Sequence, residues 1–313
     1  MESHERTRFQ EWAALWLDKK KASVKPTTLS IYTVNIRKHI MPCFGDSYIE
    51  DIGVSSIIVF IEELEESAGL KPKTIEDIFL LLQQIVKDAV KEKKLLFEEA
   101  RMHLPAKDTE EADILTSEEY EKLLNFLMIN PSGKNAGIMI AQMCGLRIGE
   151  VCGLKWEDVD LIERVIHVRR TISRLYISSL DSDAGSSVIN SGQPKTRRSQ
   201  RKVPIPKRLC YYLEQVKLKD SPDEKSFITT EKGKSHEPRT FNSYYCSVLK
   251  RSGIEHHTFH SLRHTFATRA VRMGMDAETL SRILGHASVT ITLSRYYHPT
   301  TKDLVNAIDK IYS

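Results

Sequence analysis

Residues 260–298 read HSLRHTFATRAVRMGMDAETLSRILGHASVTITLSRYYH. Apolar periodicity splits the stretch into helices at about 260–273, 276–284 and 288–297, with Gly285 marking a helix end. Among its polar groups are His260 and His286, Arg263 three residues after the first of them, and a tyrosine pair (Tyr296, Tyr297). His260 and Arg263 share one helical face. His264, next to Arg263, is expected to point elsewhere, as a packed or exposed histidine. His260, Arg263 and His286 fall within 27 residues, which favours a shared site. Several donors without a carboxylate or a metal-ligand cluster suit an anionic centre, and phosphate is the obvious candidate.

Moving upstream, KTRRSQRK at 195–202 places five cations among eight residues: Lys195, Arg197, Arg198, Arg201 and Lys202. It reads as a basic hairpin tip leading into a short strand at Val203-Pro204-Ile205. Such a tip can lie along a phosphate backbone and release counterions. Val165-Ile166-His167-Val168 is short and β-branched, a strand, whereas the Ser-, Asp- and Gly-rich residues 178–193 read as a mobile loop. Further up, GLRIGE carries Arg147 and Glu150 three apart, either a surface ion pair or an arginine aimed into a site with a carboxylate orienting it. Thr116 and Glu119 form a capping box opening a helix to about Met128, and another helix begins near Lys134. Helices at about 207–218 and 238–251 and an amphipathic segment at 301–312 complete a second domain that is mainly helical with a small sheet.

Before it, residues 104–113 (LPAKDTEEAD) combine proline with charge and lack apolar periodicity, as a linker does. The first part is a four-helix bundle. Phe9, Trp12 and Trp16 line the first helix. Pro26 opens the second, which is expected to stop at Met41-Pro42. The third covers about 55–67, and the fourth runs from Pro72 to about Lys93. Its lysines (Lys19, Lys20, Lys21, Lys25, Lys71, Lys73) read as a solvated surface.

The chain of 313 residues has room for two cores and an ordinary globular composition, 41% hydrophobic and 28% charged. Residues 1–107 carry 16 Lys and Arg against 17 Asp and Glu, and residues 108–313 carry 30 against 25, so the basic excess lies in the second part. Five scattered cysteines without a CxxC are neither a disulfide framework nor a zinc pattern. A polar N-terminus and the lack of a long apolar run argue for a cytoplasmic protein without a membrane span.

Tyr296 gives the anion site a chemistry. A phenol ionises only near pH ~10 and needs cationic donors or a base to become a nucleophile. Attack on a phosphodiester would give a phosphotyrosine linkage that keeps the bond energy, so resealing needs no high-energy cofactor. Two arginines on the non-bridging oxygens would stabilise the pentacovalent state. Lys195 is the best available acid for the leaving 5′-oxygen. Tyr297 is the competing phenol, and adjacent helical positions point about 100° apart.

Arg147 in GLRIGE, Lys195 in PKTRRSQRKVPI, His260 and Arg263 in HSLRH, His286 in LGHASVTIT and Tyr296 in YYH together resemble the tyrosine recombinases of the phage-integrase type. The catalytic likeness spans about residues 110–300, and the N-terminal bundle looks like the family's core-DNA-binding domain. The resemblance implies a mainly α fold with a small antiparallel β-sheet: a core-DNA-binding domain at 1–104, a linker at 105–113 and a catalytic domain at 114–313 ending in an exchange helix. It implies that Arg147 and Arg263 hold the scissile phosphate. Lys195 protonates the leaving 5′-hydroxyl, His260 assists proton transfer and His286 bonds a phosphate oxygen. Tyr296, preferred over Tyr297 for its distance from the LGH histidine, forms the 3′-phosphotyrosyl intermediate. Glu150 fits a supporting acidic position, and Arg197, Arg198, Arg201 and Lys202 fit DNA contacts. No metal and no cofactor are implied. The implied partners are double-stranded DNA, three further copies in a tetramer on two DNA sites, and an accessory directionality factor; free in solution the chain is expected to be a monomer or weak oligomer. Leu304, Ile308 and Ile311 would form the apolar face of the exchanged tail. The chain starts almost directly at the bundle, as in a simpler recombinase or a shortened integrase.

The expected function is site-specific cleavage and rejoining of DNA, for integration or excision of a mobile element or phage. Dimer resolution uses the same chemistry. A type IB topoisomerase-like swivelase fits the small bundle and exchange tail less well. A non-catalytic DNA-binding protein would need no phenol among the donors.

Overall fold

The computed structural model describes residues 6–67, 69–93, 113–177, 180, 186–192, 200–230 and 235–297, together with 301, 305, 308, 309 and 311. The chain divides into two compact units, Met1–Glu110 with Leu175–Val188, and Glu111–Arg174 with Ile189–Ser313. No helix among the described residues is long and apolar enough to cross a membrane.

The first unit is helical. α1 (Phe9–Lys21), α2 (Pro26–Asn35), α3 (Met41–Phe44), α4 (Val54–Ser67) and α5 (Pro72–Lys93) follow one another with short connections. Their apolar stripes meet in one core containing Phe9, Trp12, Trp16, Ile36, Ile40, Ile57, Ile61, Ile78 and Leu82. Both tryptophans reach α5 with their indole N–H groups, Trp12 to the Ile85 carbonyl at 3.2 Å and Trp16 to Asp88 at 2.7 Å. Such polar tips want a partner when the ring is buried. The second helix does not stop at Met41-Pro42 as expected. A π-helical stretch at Ile36–Ile40 joins α2 to α3, and the Met41 N–H donates to the Ile36 carbonyl. The widened turn puts Pro42 into the first turn of α3, where a missing N–H costs no helical bond. Several lysines read as solvated are paired at the surface, Lys19 with Glu92, Lys20 with Asp88, Lys21 with Asp18 and Lys73 with Glu76 and Asp77.

The second unit begins with α6 (Ser117–Ile129), α7 (Gly133–Cys144) and α8 (Ile148–Gly153). The expected capping box opens α6: the Glu119 N–H donates to Thr116 Oγ1, and the Thr116 N–H donates to the Glu119 carboxylate at 2.9 Å. Among the described residues five strands follow along the chain: β1 (Val159–Asp160), β2 (Val165–Val168), β3 (Thr171–Ile177), β4 (Ser186–Gly192) and β5 (Arg201–Pro204), the residues of β3 and β4 between Leu175 and Val188 being grouped with the first unit. β1, β2 and β5 form an antiparallel sheet, and β3 and β4 form a second, two-stranded one. The stretch read as a loop at 178–193 therefore contains a strand. Val188 and Ile189 are its strand formers, and cross-strand pairing with β3 carries the flanking Ser, Asn and Gly residues, which have little β propensity. α9 (Lys207–Asp220), α10 (Pro238–Arg251), α11 (Phe259–Arg272), α12 (Ala277–Leu284) and α13 (Val289–Tyr296) complete the unit. Its main core packs α7, α9, α10 and α11 around Ile138, Ile166, Val203, Leu213, Phe241 and Leu262. A smaller cluster of Ala267, Ala270, Leu280 and Leu284 seats α12 and α13 on α11, with Tyr296 and Tyr297 packed against it.

Candidate active site

The site begins at the end of α7. Gly145 sits in the left-handed region (φ 69°), and a Cβ there would come within 2.6 Å of the Phe266 ring and 2.9 Å of Leu284. Glycine therefore allows both the sharp helix end and the close approach of α11 and α12. The chain leaves extended, so Arg147 is the N-cap of α8 and not part of the helix. Glu150, at the third helical position, reaches back to the Arg147 N–H at 2.9 Å and also accepts from Arg147 Nη1 at 3.0 Å. The spacing of three is thus a capping arrangement. Glu150 is 4% exposed and far from the surface pair that was the plainer reading.

Arg201 is the second partner of this carboxylate. Its Nη1 and Nη2 donate to the two Glu150 oxygens at 2.9 and 3.0 Å, and its Nε donates to the Ile283 carbonyl. The side chain is 6% exposed. The sequence reading grouped Arg201 with a surface of DNA contacts, and the structure places it inside. The reason is strand alternation: Val203 is buried in β5, so Arg201, two residues earlier, shares the inner face. Lys202 takes the outer face opposite His167 and is exposed. Lys195, Arg197 and Arg198 lie outside the described residues. Burial raises and the two guanidinium groups lower the Glu150 pKa; the net shift is downward, so it stays a carboxylate.

Arg263 is 2% exposed in α11, and its two terminal nitrogens donate to the carbonyls of Gly145 at 2.8 Å and Leu284 at 2.9 Å. Both carbonyls lie at helix C-termini, where the helix dipole favours a cation. Arg147 Nη1 shares the Leu284 carbonyl at 3.3 Å. Burial, with the charges of Arg147 and Arg201, pulls Arg263 down to about 9, and it remains cationic at neutral pH. Two guanidinium groups, those of Arg147 and Arg201, thus converge on the Glu150 carboxylate, and a third, that of Arg263, shares the Leu284 carbonyl with Arg147. The surplus of positive charge is what an anion would neutralise.

Of the remaining expected groups, His286 lies beside the phenol and His260 beside His264. His286 follows Gly285, which ends α12 at φ 66°. Its Nδ1 lies 2.7 Å from Thr292 Oγ1, and its ring stacks parallel to Tyr296 at 6.4 Å. His260 stands on α11 with its ring edge-on to His264 at 4.5 Å. Desolvation and the charges of Arg263, Arg295 and Arg147 push His260 down to about 4, and His286 is brought to about 4 by burial and the same arginines. Both rings are neutral at physiological pH. The Tyr296 hydroxyl lies 2.9 Å from His264 Nδ1, whereas the Tyr297 hydroxyl donates to the Met275 carbonyl. Burial raises the Tyr296 pKa while Arg263, Arg295 and Arg147 pull it back, leaving it above the ordinary value.

The structure therefore gathers Arg147, Glu150, His260, Arg263, His286 and Tyr296 in one unit, adds Arg201 as an internal strut, and adds His264, which the sequence reading set aside. His264 was recoverable: it is four residues after His260, a spacing that shares a helix face as surely as three does.

The sequence matches the Phage integrase family over residues 113–303 and the phage integrase N-terminal SAM-like domain over residues 8–64. The chain belongs to the phage integrase family. A XerC-like tyrosine recombinase of Caldanaerobacter subterraneus subsp. tengcongensis is 28% identical over 64% of this chain and 54% of its own length. The ICEBs1 integrase of Bacillus subtilis is 28% identical over 95% of this chain and 84% of its own. The chain spans about half the length of several of the curated relatives it matches. In fold it resembles the Tn1549 transposon integrase solved in complex with transposon right end DNA, with a TM-score of 0.80 at 22% identity over 98% of this chain and 100% of that one.

Proposed function

We propose that the protein is a site-specific DNA recombinase that cuts and rejoins duplex DNA through a covalent 3′-phosphotyrosine at Tyr296, for integration and excision of a mobile element. The observation that carries this reading is the placement of one phenol near Arg263, held on two backbone carbonyls, and Arg147, held with Arg201 on the buried Glu150 carboxylate. Membership of the phage integrase family supports it, as does the likeness to the transposase of transposon Tn916 and to the ICEBs1 integrase.

Arg147 and Arg263 bind the non-bridging oxygens of the scissile phosphate, and Glu150 and Arg201 hold Arg147 in place. His286 adds a hydrogen bond to the same phosphate. The Tyr296 oxygen attacks phosphorus in line. The new oxygen–phosphorus bond forms as the bond to the 5′-oxygen breaks, and the arginines take up the charge that develops on the pentacovalent phosphorus. His260, neutral before the reaction, takes the phenolic proton, and Lys195 gives one to the leaving 5′-oxygen. The reverse sequence with a new 5′-hydroxyl reseals the strand.

Residues 1–104 act as the core-DNA-binding domain, 105–113 as the linker and 114–313 as the catalytic domain. Lys202, with Arg197 and Arg198, contacts the DNA backbone. Four copies assemble on two DNA sites in the cytoplasm, with a directionality factor choosing between integration and excision. The test is covalent trapping on nicked duplex DNA. Wild type and Tyr297→Phe should form a protein–DNA adduct stable to denaturant, and Tyr296→Phe should bind DNA without forming one. An adduct with Tyr296→Phe that Tyr297→Phe abolishes would reverse the assignment.

A further inference from the structure

His264 has no assigned part in the chemistry above, yet it makes the closest polar contact to the phenol. Its Nδ1 lies 2.9 Å from Tyr296 Oη, and its Nε2 lies 3.1 Å from Arg295 Nη2. It is 5% exposed, so neither nitrogen exchanges these partners freely for water. An arginine carries only donors. The nitrogen facing Arg295 must therefore accept, and in the neutral ring the proton then sits on Nδ1, pointed at the tyrosine oxygen.

We infer that His264 is a positioning residue for the nucleophile: locked by Arg295 in its Nδ1–H tautomer, it donates to Tyr296 Oη, fixes the phenol beside the arginines and steadies the oxygen when it becomes anionic. This rests on the reading of Tyr296 as the nucleophile. The donor cannot also act as the base, so the phenolic proton must leave by another route, and His260, its ring 4.5 Å from that of His264, is the group assigned to take it. A hydrogen bond from a neutral donor shortens and strengthens when its acceptor becomes charged. The bond therefore helps the phenolate form during cleavage and helps it depart during rejoining, when the same oxygen is the leaving group. A reaction that runs in both directions gains from a donor that serves both.

The surroundings keep the ring in that role. The groups facing it are His260 and Arg263 on its own helix α11, Arg295 and Tyr296 on α13, and Asp113 ahead of α6. Burial and the nearby cationic groups outweigh Asp113 and push the imidazole down to about 4, so it is neutral at physiological pH. The parallel ring of His286 lies against the phenol as a further wall of the slot.

Two measurements test this. Nitrogen-15 histidine spectra of the full chain report the tautomer directly, with the His264 signals assigned by their loss in His264→Asn. The Nδ1–H form is expected, and an Nε2–H form would overturn the inference. The second is the pH profile of single-turnover adduct formation on a nicked duplex bearing the site recovered by sequencing covalently trapped DNA. His264→Leu should cut about 10- to 100-fold more slowly at neutral pH, with its rise shifted about one to two pH units higher. His264→Asn, which keeps an N–H donor near the Nδ1 position, should restore most of the rate and the profile. Equal behaviour of the Asn and Leu variants, or a slowed Leu variant with an unshifted profile, would reduce His264 to a packing residue. Failure of the underlying reading looks different: Tyr296→Phe would then still form the adduct.

Discussion

Replacing Glu150 with glutamine removes one charge and leaves shape nearly unchanged, which isolates the electrostatic role of the carboxylate. In the native site it accepts two bonds from Arg201, one from the Arg147 guanidinium and one from the Arg147 N–H, all between 2.9 and 3.0 Å. Glutamine offers one acceptor oxygen and places an NH2 against a guanidinium. Arg201, at 6% exposure, cannot recover its solvation. Breaking a buried pair from one side costs about 3–5 kcal/mol. For a domain of roughly 150–250 residues that lowers the Tm by about 6–20 °C. Arg147 is 38% exposed and relaxes into solvent, so the cost arises chiefly from Arg201. The double variant Glu150→Gln with Arg201→Met removes the orphaned charge and should regain more than half of the lost stability. Calorimetry of the catalytic transition supplies the Tm values, and adduct formation on nicked DNA reports whether Arg147 still binds phosphate. The single variant should lose both. A Tm within about 1 °C of wild type, or no coupling in the double-mutant cycle, would refute the strut.

Acid should weaken the second unit in two stages. His260, His264 and His286 are pushed from 6.5 to about 4, so the unfolded chain binds protons that the folded one refuses. Stability falls as pH drops from about 6.5 toward about 4, and substituting His286 by Asn should flatten that slope in denaturant titrations. Glu150 acts below this: its contribution is present above the ordinary glutamate range near 4.5 and is lost as pH falls through its lowered folded value, so Glu150→Gln should blunt the deepest part of the acid transition. Lys195→Ala should slow cleavage, and a substrate with bridging sulfur at the 5′-position, whose leaving group needs no acid, should restore it; failure of that rescue would point to another proton donor. Adduct formation should continue in excess chelator, and its loss there would contradict charge stabilisation by arginine alone.

The helical frame was readable because apolar stripes repeat locally. α5 runs from Pro72 to Lys93 as its periodicity predicts, and the Thr116–Glu119 box opens α6. What escaped depended on partners distant in sequence. β4 is a strand because it pairs with β3, and Val188-Ile189 among its serines and glycine is too short a β-branched signal to announce that. Arg201 looked like one more cation in a basic run. Its inward direction follows from Val203 only once the strand is placed, and its pairing with Glu150 spans 51 residues. α2 was expected to end before Pro42, because a π-turn that moves a proline to a harmless position leaves no mark in the sequence. His264 was within reach of the helical spacing, but the neighbouring Arg263 drew the assignment. The choice between Tyr296 and Tyr297 rested on spacing and resemblance; the coordinates add that the two hydroxyls face opposite partners, His264 and the Met275 carbonyl.

The central claim is that one phenol carries the DNA. It is tested most directly by trapping the wild-type protein on nicked duplex DNA, digesting the adduct with protease and nuclease, and locating the nucleotide-bearing residue by mass spectrometry. The account predicts a 3′-phosphotyrosyl bond at Tyr296. A nucleotide on Tyr297 or on any other residue, or DNA cleaved with no covalent adduct at all, would contradict it.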